Sequence, residues 1–171
     1  FGQSIRHLVL DPCEPINAVT ETLLFQADRA HQIDTIVRPA LARGFALFSD
    51  RHTWSTLAYQ HPDANLFLVT TAAATQGIRP DLILLCDCPV NVAQARHRHA
   101  HDRNRFDELD RDKHERIRQS FLALAAAHPD NSVVLNAASD PEDVFIQACK
   151  ALDQHVFSKL TLPFSFVKEV S

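Results

Sequence analysis

FALFSDRHTWSTLAYQ (residues 45–60) is the stretch whose reading decides the fold. Residues 45–49 form a short apolar run directly after Gly44, the pattern of a buried strand in a parallel sheet. Asp50 and Arg51 follow where that strand would end. In open α/β sheets, ligands bind just outside the carboxyl ends of the strands. A charged pair there, trailed by Ser55, Thr56, Tyr59 and Gln60 at helical spacing, reads as a small-molecule site. The plainer reading is an Asp that caps the next helix, with an Arg facing solvent. For Asp-Arg alone that reading is the commoner outcome, and the polar residues that follow shift the balance.

Working outward, 171 residues are enough for one domain with a single core. The net charge of −4 argues against a general nucleic-acid binder, which would show a basic surplus. No apolar run reaches membrane-spanning length and no signal peptide opens the chain. Cys13, Cys86, Cys88 and Cys149 lack the paired spacing of a secreted scaffold, so a reducing cytoplasm is the expected compartment. The chain has no methionine, even at position 1, and reads as a fragment.

A short helix is expected over 2–10, with Ile5, Leu8 and Val9 inward, and a long one from Asn17 or Thr20. The long helix would bury Val19, Leu23, Leu24, Ala27 and Ala30, then continue over 33–43 after a kink and stop at Gly44. Phe25 and Arg29, four apart, share a second face of it. An aromatic on such a helix is usually core; alternatively its flat face stacks on a nucleobase while Arg29 donates to the base edge. A turn at 61–63 leads to a helix over 64–76 closed by Gly77, and then to a buried strand over 82–86. Asp87 is either a strand-end carboxylate near a nucleotide or a cap for the helix from Asn91. Further elements are a helix over 117–127 with Ile117, Phe121 and Leu124 inward, a strand over 132–135 and a helix over 141–154.

Between them, residues 96–116 (RHRHAHDRNRFDELDRDKHER) lose the apolar pattern and read as a solvated helix face or mobile loop. His97, His99, His101 and His114 are spaced for neither face of a helix, and Cys86 with Cys88 lacks a second ligand pair, so no metal site is expected.

Four segments resemble the motifs of thymidylate kinases, in that family's order and spacing. DRHTWSTLAYQ (50–60) resembles DR(Y/H)xxS(S/T)xAYQ, and LLFQADRAHQ (23–32) resembles LLFxADRAQH. RPDLILLCDCP (79–89) resembles PDLxxxLDvxP, and SIRHLVLDP (4–12) resembles xIRxLLLDP. Together they cover the chain from about residue 4 to residue 150. Any one is weak; the set is specific.

The resemblance implies an α/β fold: a three-layer sandwich of the P-loop nucleoside-monophosphate-kinase type with a parallel sheet. The kinase domain would span 1–155 with a lid over about 97–112, and 156–171 would be a tail without an assigned role. The implied activity is ATP-dependent phosphorylation of dTMP to dTDP, with ATP and Mg2+ as cofactors, in a cytoplasmic homodimer joined through the helix bearing Phe25. By resemblance, Phe25 stacks on thymine, Arg29 and Gln60 read its edge, and Thr56 and Tyr59 line sugar and base. Arg51 binds the dTMP phosphate, and Asp50 orients Arg51 or the magnesium shell. Arg105, in NRFD (104–107) where the family has DRxE, is the implied lid arginine, with Arg96 and Arg103 nearby.

The departures matter as much. Gln60 is followed by His61, and the arginine often found after Ala-Tyr-Gln is absent. No GxxxxGK(S/T) loop and no Arg-Glu-Pro-Gly-Gly-Thr segment occurs, and three glycines cannot supply the phosphate cradle. The expectation is a chain lacking the first two strands and the ATP-phosphate site, with much of the nucleoside site retained and little kinase activity alone. The alternatives are a non-catalytic nucleotide-binding module and a kinase for a related deoxynucleoside or nucleotide.

Overall fold

Helices dominate the chain because capping residues fall where apolar or mixed periodic runs begin. A computed structural model describes residues 1–10, 16–97, 106 and 109–159. These described residues fall into two compact units, one drawn from 1–79 and 90–124 and the other from 80–89 and 125–159.

In the first unit, α1 (Gly2–Leu10) buries Ile5 and Val9, one turn apart. Leu8, expected beside them, is 49% exposed. It sits about 100° around the helix from Val9, off the stripe that Ile5 and Val9 define.

Helix α2 (Ala18–Gln32) begins at Asn17, whose side chain accepts from the Thr20 N–H at 2.9 Å. Its buried residues are polar: Glu21, Thr22 and Gln26. Val19 and Leu23, expected inward, are 52% and 46% exposed. The reversal has a physical cause. Hydrogen-bond partners from two neighbouring helices satisfy Glu21 and Gln26, so burying them costs little. The expected kink is a π-helical segment (Ile33–Val37) that leads into α3 (Arg38–Ala42). Gly44 ends the run at φ +78, in the left-handed region that glycine enters without cost.

The strand expected over 45–49 does not form. Residues 41–51 are all exposed, Phe48 at 76%. A parallel strand is held only by a neighbour's ladder, and the two strands among the described residues pair with each other. Phe45, Leu47 and Phe48 are therefore left in water, an aggregation liability.

Helix α4 (Thr53–Gln60) stops at His61, which takes a left-handed conformation. Asp63 then caps α5 (Ala64–Thr75), its Oδ1 accepting from the N–H groups of Asn65 and Leu66 at 2.9 and 3.3 Å. Gln76 ties the end of α5 back to the π segment and α3, accepting from Arg38 and donating to Asp34. Helix α6 covers Val90–His97. Helix α7 runs Arg111–Ala127, so residues 111–116 are helical rather than part of an open loop. Asp110 accepts from the Lys113 N–H at 2.8 Å, and Glu115 pairs with Arg118 at 3.4 Å. Cap and ion pair start the helix before its apolar pattern does.

In the second unit, β1 (Ile83–Asp87) and β2 (Ser132–Asn136) pair in parallel, Ile83 opposite Ser132 and Asp87 opposite Asn136. Both lie within one residue of their expected positions. Buried Ser132 donates to the carbonyls of His128 and Ala125, which closes the turn before β2. Helix α8 (Pro141–His155) starts on Pro141 as expected and fixes the end of β2 through Gln147, which accepts from the Asn136 N–H at 2.8 Å. Ala125, Leu135 and Ala151 are the buried apolar residues among those described in this unit. The parallel pair agrees with an α/β class. No helix among the described residues is long and apolar enough to cross a membrane.

Candidate functional site

The polar face of α2 meets α4 and α5, and its centre is Arg29. This guanidinium is half-buried, and desolvation lowers its pKa against the opposing pull of Asp28. Nη1 donates to Gln26 Oε1 at 2.5 Å and, at the long limit, to Thr56 Oγ1 at 3.5 Å. Among the described residues nothing accepts from Nη2 or Nε, and no carboxylate forms an ion pair with it. Asp28 instead accepts from Gln32 at 2.8 Å. A partly desolvated cation with donors left over and no carboxylate bonded to it is prepared for a carbonyl or anionic ligand.

His52, immediately before α4, lies in the same field. Its pKa falls to about 4, first because burial disfavours the imidazolium and second because Arg29 repels it. It is therefore neutral near pH 7, and Arg29 carries the local positive charge alone. The linkage sign follows. Unfolded histidine binds its proton near pH 6.5 and the folded ring refuses it down to about 4. Stability therefore rises with pH across that window and is lost as pH falls through it. Allowing for screening at a part-exposed ring, the contribution is about 1–2 kcal/mol. Thermal melts between those limits should show this slope in the native protein and a shallower one in His52→Asn; equal slopes would assign the acid sensitivity elsewhere.

Thr56 and Gln60 point into the same interface, at 2% and 8% exposure. Gln60 Nε2 donates to buried Glu21 Oε1, linking α4 to α2. Thr56 is thus brought to Arg29, and Gln60 to Glu21. Phe25 is half-buried one turn before Arg29 on α2.

Arg51 is exposed, and its backbone stands at φ 67, a conformation that costs a non-glycine residue on the order of 1 kcal/mol. Ser49 Oγ donates to its carbonyl at 3.0 Å and holds the turn. The guanidinium lies over the Tyr59 ring, 5.0 Å from the centroid, and Tyr59 packs edge-on against Phe106 and Phe121. Asp50 makes no hydrogen bond or ion pair among the described residues. Arg96 is exposed on α6. Arg103 and Arg105 lie outside the described residues.

Gln26, Glu21, His52 and Phe106 are not singled out by the sequence, and Phe121 is marked there only as an inward residue of its helix. A signal for the first two was present: Glu21, Thr22, Gln26 and Arg29 form a polar stripe along α2. Among the described residues no group of three or more His, Cys, Asp or Glu is placed to hold a metal ion. The 171 residues contain no GxxxxGK(S/T) loop of the kind that cradles ATP phosphates.

The thymidylate kinase family model matches residues 1–147. A protein of Clavibacter michiganensis subsp. michiganensis named thymidylate kinase is 41% identical over 151 residues, 84% of this chain and 71% of that protein. Proteins of the same name from Clavibacter sepedonicus and Cereibacter sphaeroides are 43% and 40% identical, over 80% and 88% of this chain and 67% and 74% of theirs. A family model spanning most of the chain, together with relatives at this identity over most of both sequences, settles the membership: the chain belongs to the thymidylate kinase family.

Proposed function

We propose that the α2–α4 face binds dTMP, the nucleotide that thymidylate kinases phosphorylate to dTDP with ATP and Mg2+, and that these 171 residues alone keep the nucleotide site but turn over little. The observation that carries this reading is the half-buried Arg29, with unused donors and no carboxylate bonded to it, in a chain of the thymidylate kinase family. Arg29 bonds the thymine edge through Nη2 and Nε, and Phe25 supplies the stacking plane, a contact worth roughly 1–3 kcal/mol per base. Thr56 and Tyr59 border the sugar and base. Gln60 has Oε1 and the second Nε2 hydrogen left for a ligand, since Glu21 takes one Nε2 donor. Arg51 is the phosphate contact, steadied by the Tyr59 face, and Asp50, which is not bonded to Arg51 in the structure, would orient it or the magnesium shell once nucleotide is bound. Arg96, Arg103 and Arg105 would neutralise the transferring phosphoryl group, the main service a protein renders in this chemistry. The homodimer joins through α2, a reading supported by exposed Val19 and Leu23. The setting is cytoplasmic, without nucleic-acid or membrane partners.

A second reading is favoured by one fact: these 171 residues contain no GxxxxGK(S/T). On that reading the chain binds nucleotide without phosphorylating it. Calorimetry with dTMP, thymidine, dUMP, dCMP and ATP, beside a coupled kinase assay, tests both. The expected result is dTMP binding ahead of the other nucleotides, weak or no ATP binding and little turnover. Turnover of dTMP with ATP at an ordinary kinase rate would refute the expectation of inactivity. Failure to bind any thymine nucleotide would refute the site.

A further inference from the structure

We propose that Gln26 is the positioning residue of this site: it orients Arg29 for the nucleotide without neutralising it. The inference rests on the reading of Arg29 as a ligand contact and goes beyond it.

Gln26 is 4% exposed, and both ends of its amide are engaged. Nε2 reaches Thr71 Oγ1 at 2.7 Å and Thr70 Oγ1 at 3.4 Å, both on α5. Thr70 uses its only hydroxyl proton on the Leu66 carbonyl at 2.6 Å, so toward Gln26 it acts as an acceptor. That sets which end of the amide is nitrogen. Oε1 is left facing Arg29 Nη1 at 2.5 Å, and a guanidinium can only donate. A flipped amide would set N–H against N–H at that contact. The α5 hydroxyls therefore fix the amide, and the amide fixes the guanidinium, leaving Nη2 and Nε for a ligand.

The choice of amide over carboxylate is the consequential part. A glutamate at position 26 would reach the same place and form a charge-assisted pair with Arg29. That pair would discharge the cation and compete with the ligand for its donors. Gln26 supplies one neutral acceptor and leaves the charge intact.

The test compares native protein, Gln26→Glu and Gln26→Leu. Thymidine and dTMP affinities are measured by calorimetry, melting temperature by calorimetric scan, and Arg29 guanidinium N–H exchange by NMR. Thymidine isolates the contribution from the base edge, because it carries no phosphate for Arg51. Gln26→Glu should keep the slow Arg29 exchange and a melting temperature close to native, the new ion pair with Arg29 offsetting the amide donor lost to Thr70 and Thr71, yet bind both ligands at least ~10-fold more weakly. Gln26→Leu should lose the slow exchange together with the affinity. A merely structural glutamine predicts otherwise, since Gln26→Glu with an unchanged melting temperature would then bind like the native protein, and that result overturns the proposal. If native protein binds neither ligand, the ligand reading fails by itself. The exchange data then decide the positioning claim alone: slow exchange lost in Gln26→Leu upholds it, and unchanged exchange overturns it.

Discussion

Replacing Arg29 with Met is expected to weaken dTMP binding about 10- to 150-fold, the equivalent of one or two hydrogen bonds from a charged donor. The melting temperature should stay level. These two outcomes follow from how the side chain is held. Arg29 is partly desolvated with no carboxylate bonded to it, and its hydrogen-bond partners are two neutral acceptors reached through one nitrogen. Removing the desolvated charge offsets the donor that buried Gln26 Oε1 loses, so exchange for an apolar side chain of similar length comes out near neutral. A ligand that relied on Nη2 and Nε has nothing to replace them. His52 provides an internal control. Its pKa is held down second by repulsion from Arg29, so the same substitution should raise it toward 6.5, read by imidazole NMR. Loss of stability with unchanged affinity would mark Arg29 as a packing residue.

The second large effect is expected at Gln60→Leu, which should destabilise the protein by about 2–3 kcal/mol in urea unfolding. Gln60 donates to Glu21, both are under a tenth exposed, and the bond joins α4 to α2. Leucine fills the volume but takes a donor from a buried carboxylate, and an under-bonded buried charge is costlier than an under-bonded neutral group. In a Glu21→Gln background, where position 21 carries no charge, the penalty for Gln60→Leu should fall by at least half. Equal penalties in the two backgrounds would show that the carboxylate plays no part.

Much of the fold was legible from the sequence. The starts of α2, α5 and α8 follow from Asn17, Asp63 and Pro141, and the stop after α3 follows from Gly44. Strands β1 and β2 stand out as apolar runs bounded by polar residues. What was not legible depended on partners. Residues 45–49 have the composition of a strand, but a strand is a property of a pair, and no described strand pairs with it. The inward face of α2 was misjudged because periodicity identifies an apolar stripe and does not say that a polar one is buried when its bonds are met across helices. The start of α7 was missed because caps and ion pairs carry it.

The candidate site divides along the same line. Arg29, Thr56, Tyr59 and Gln60 were nameable from their motifs, and α4 brings the last three within reach of α2 or Arg51. Gln26, His52 and Glu21 act through distances of a few ångströms between separate helices, which no spacing along one chain reveals.

The central claim is that Arg29 and Arg51 grip the two ends of one nucleotide. A crystal structure of the chain grown with dTMP tests it most directly. The account expects a thymine carbonyl within hydrogen-bond distance of Arg29 Nη2 or Nε, the Phe25 ring parallel to the base, and the phosphate on Arg51. A nucleotide bound elsewhere, or one bound with Arg29 still turned only to Gln26 and Thr56, would contradict it.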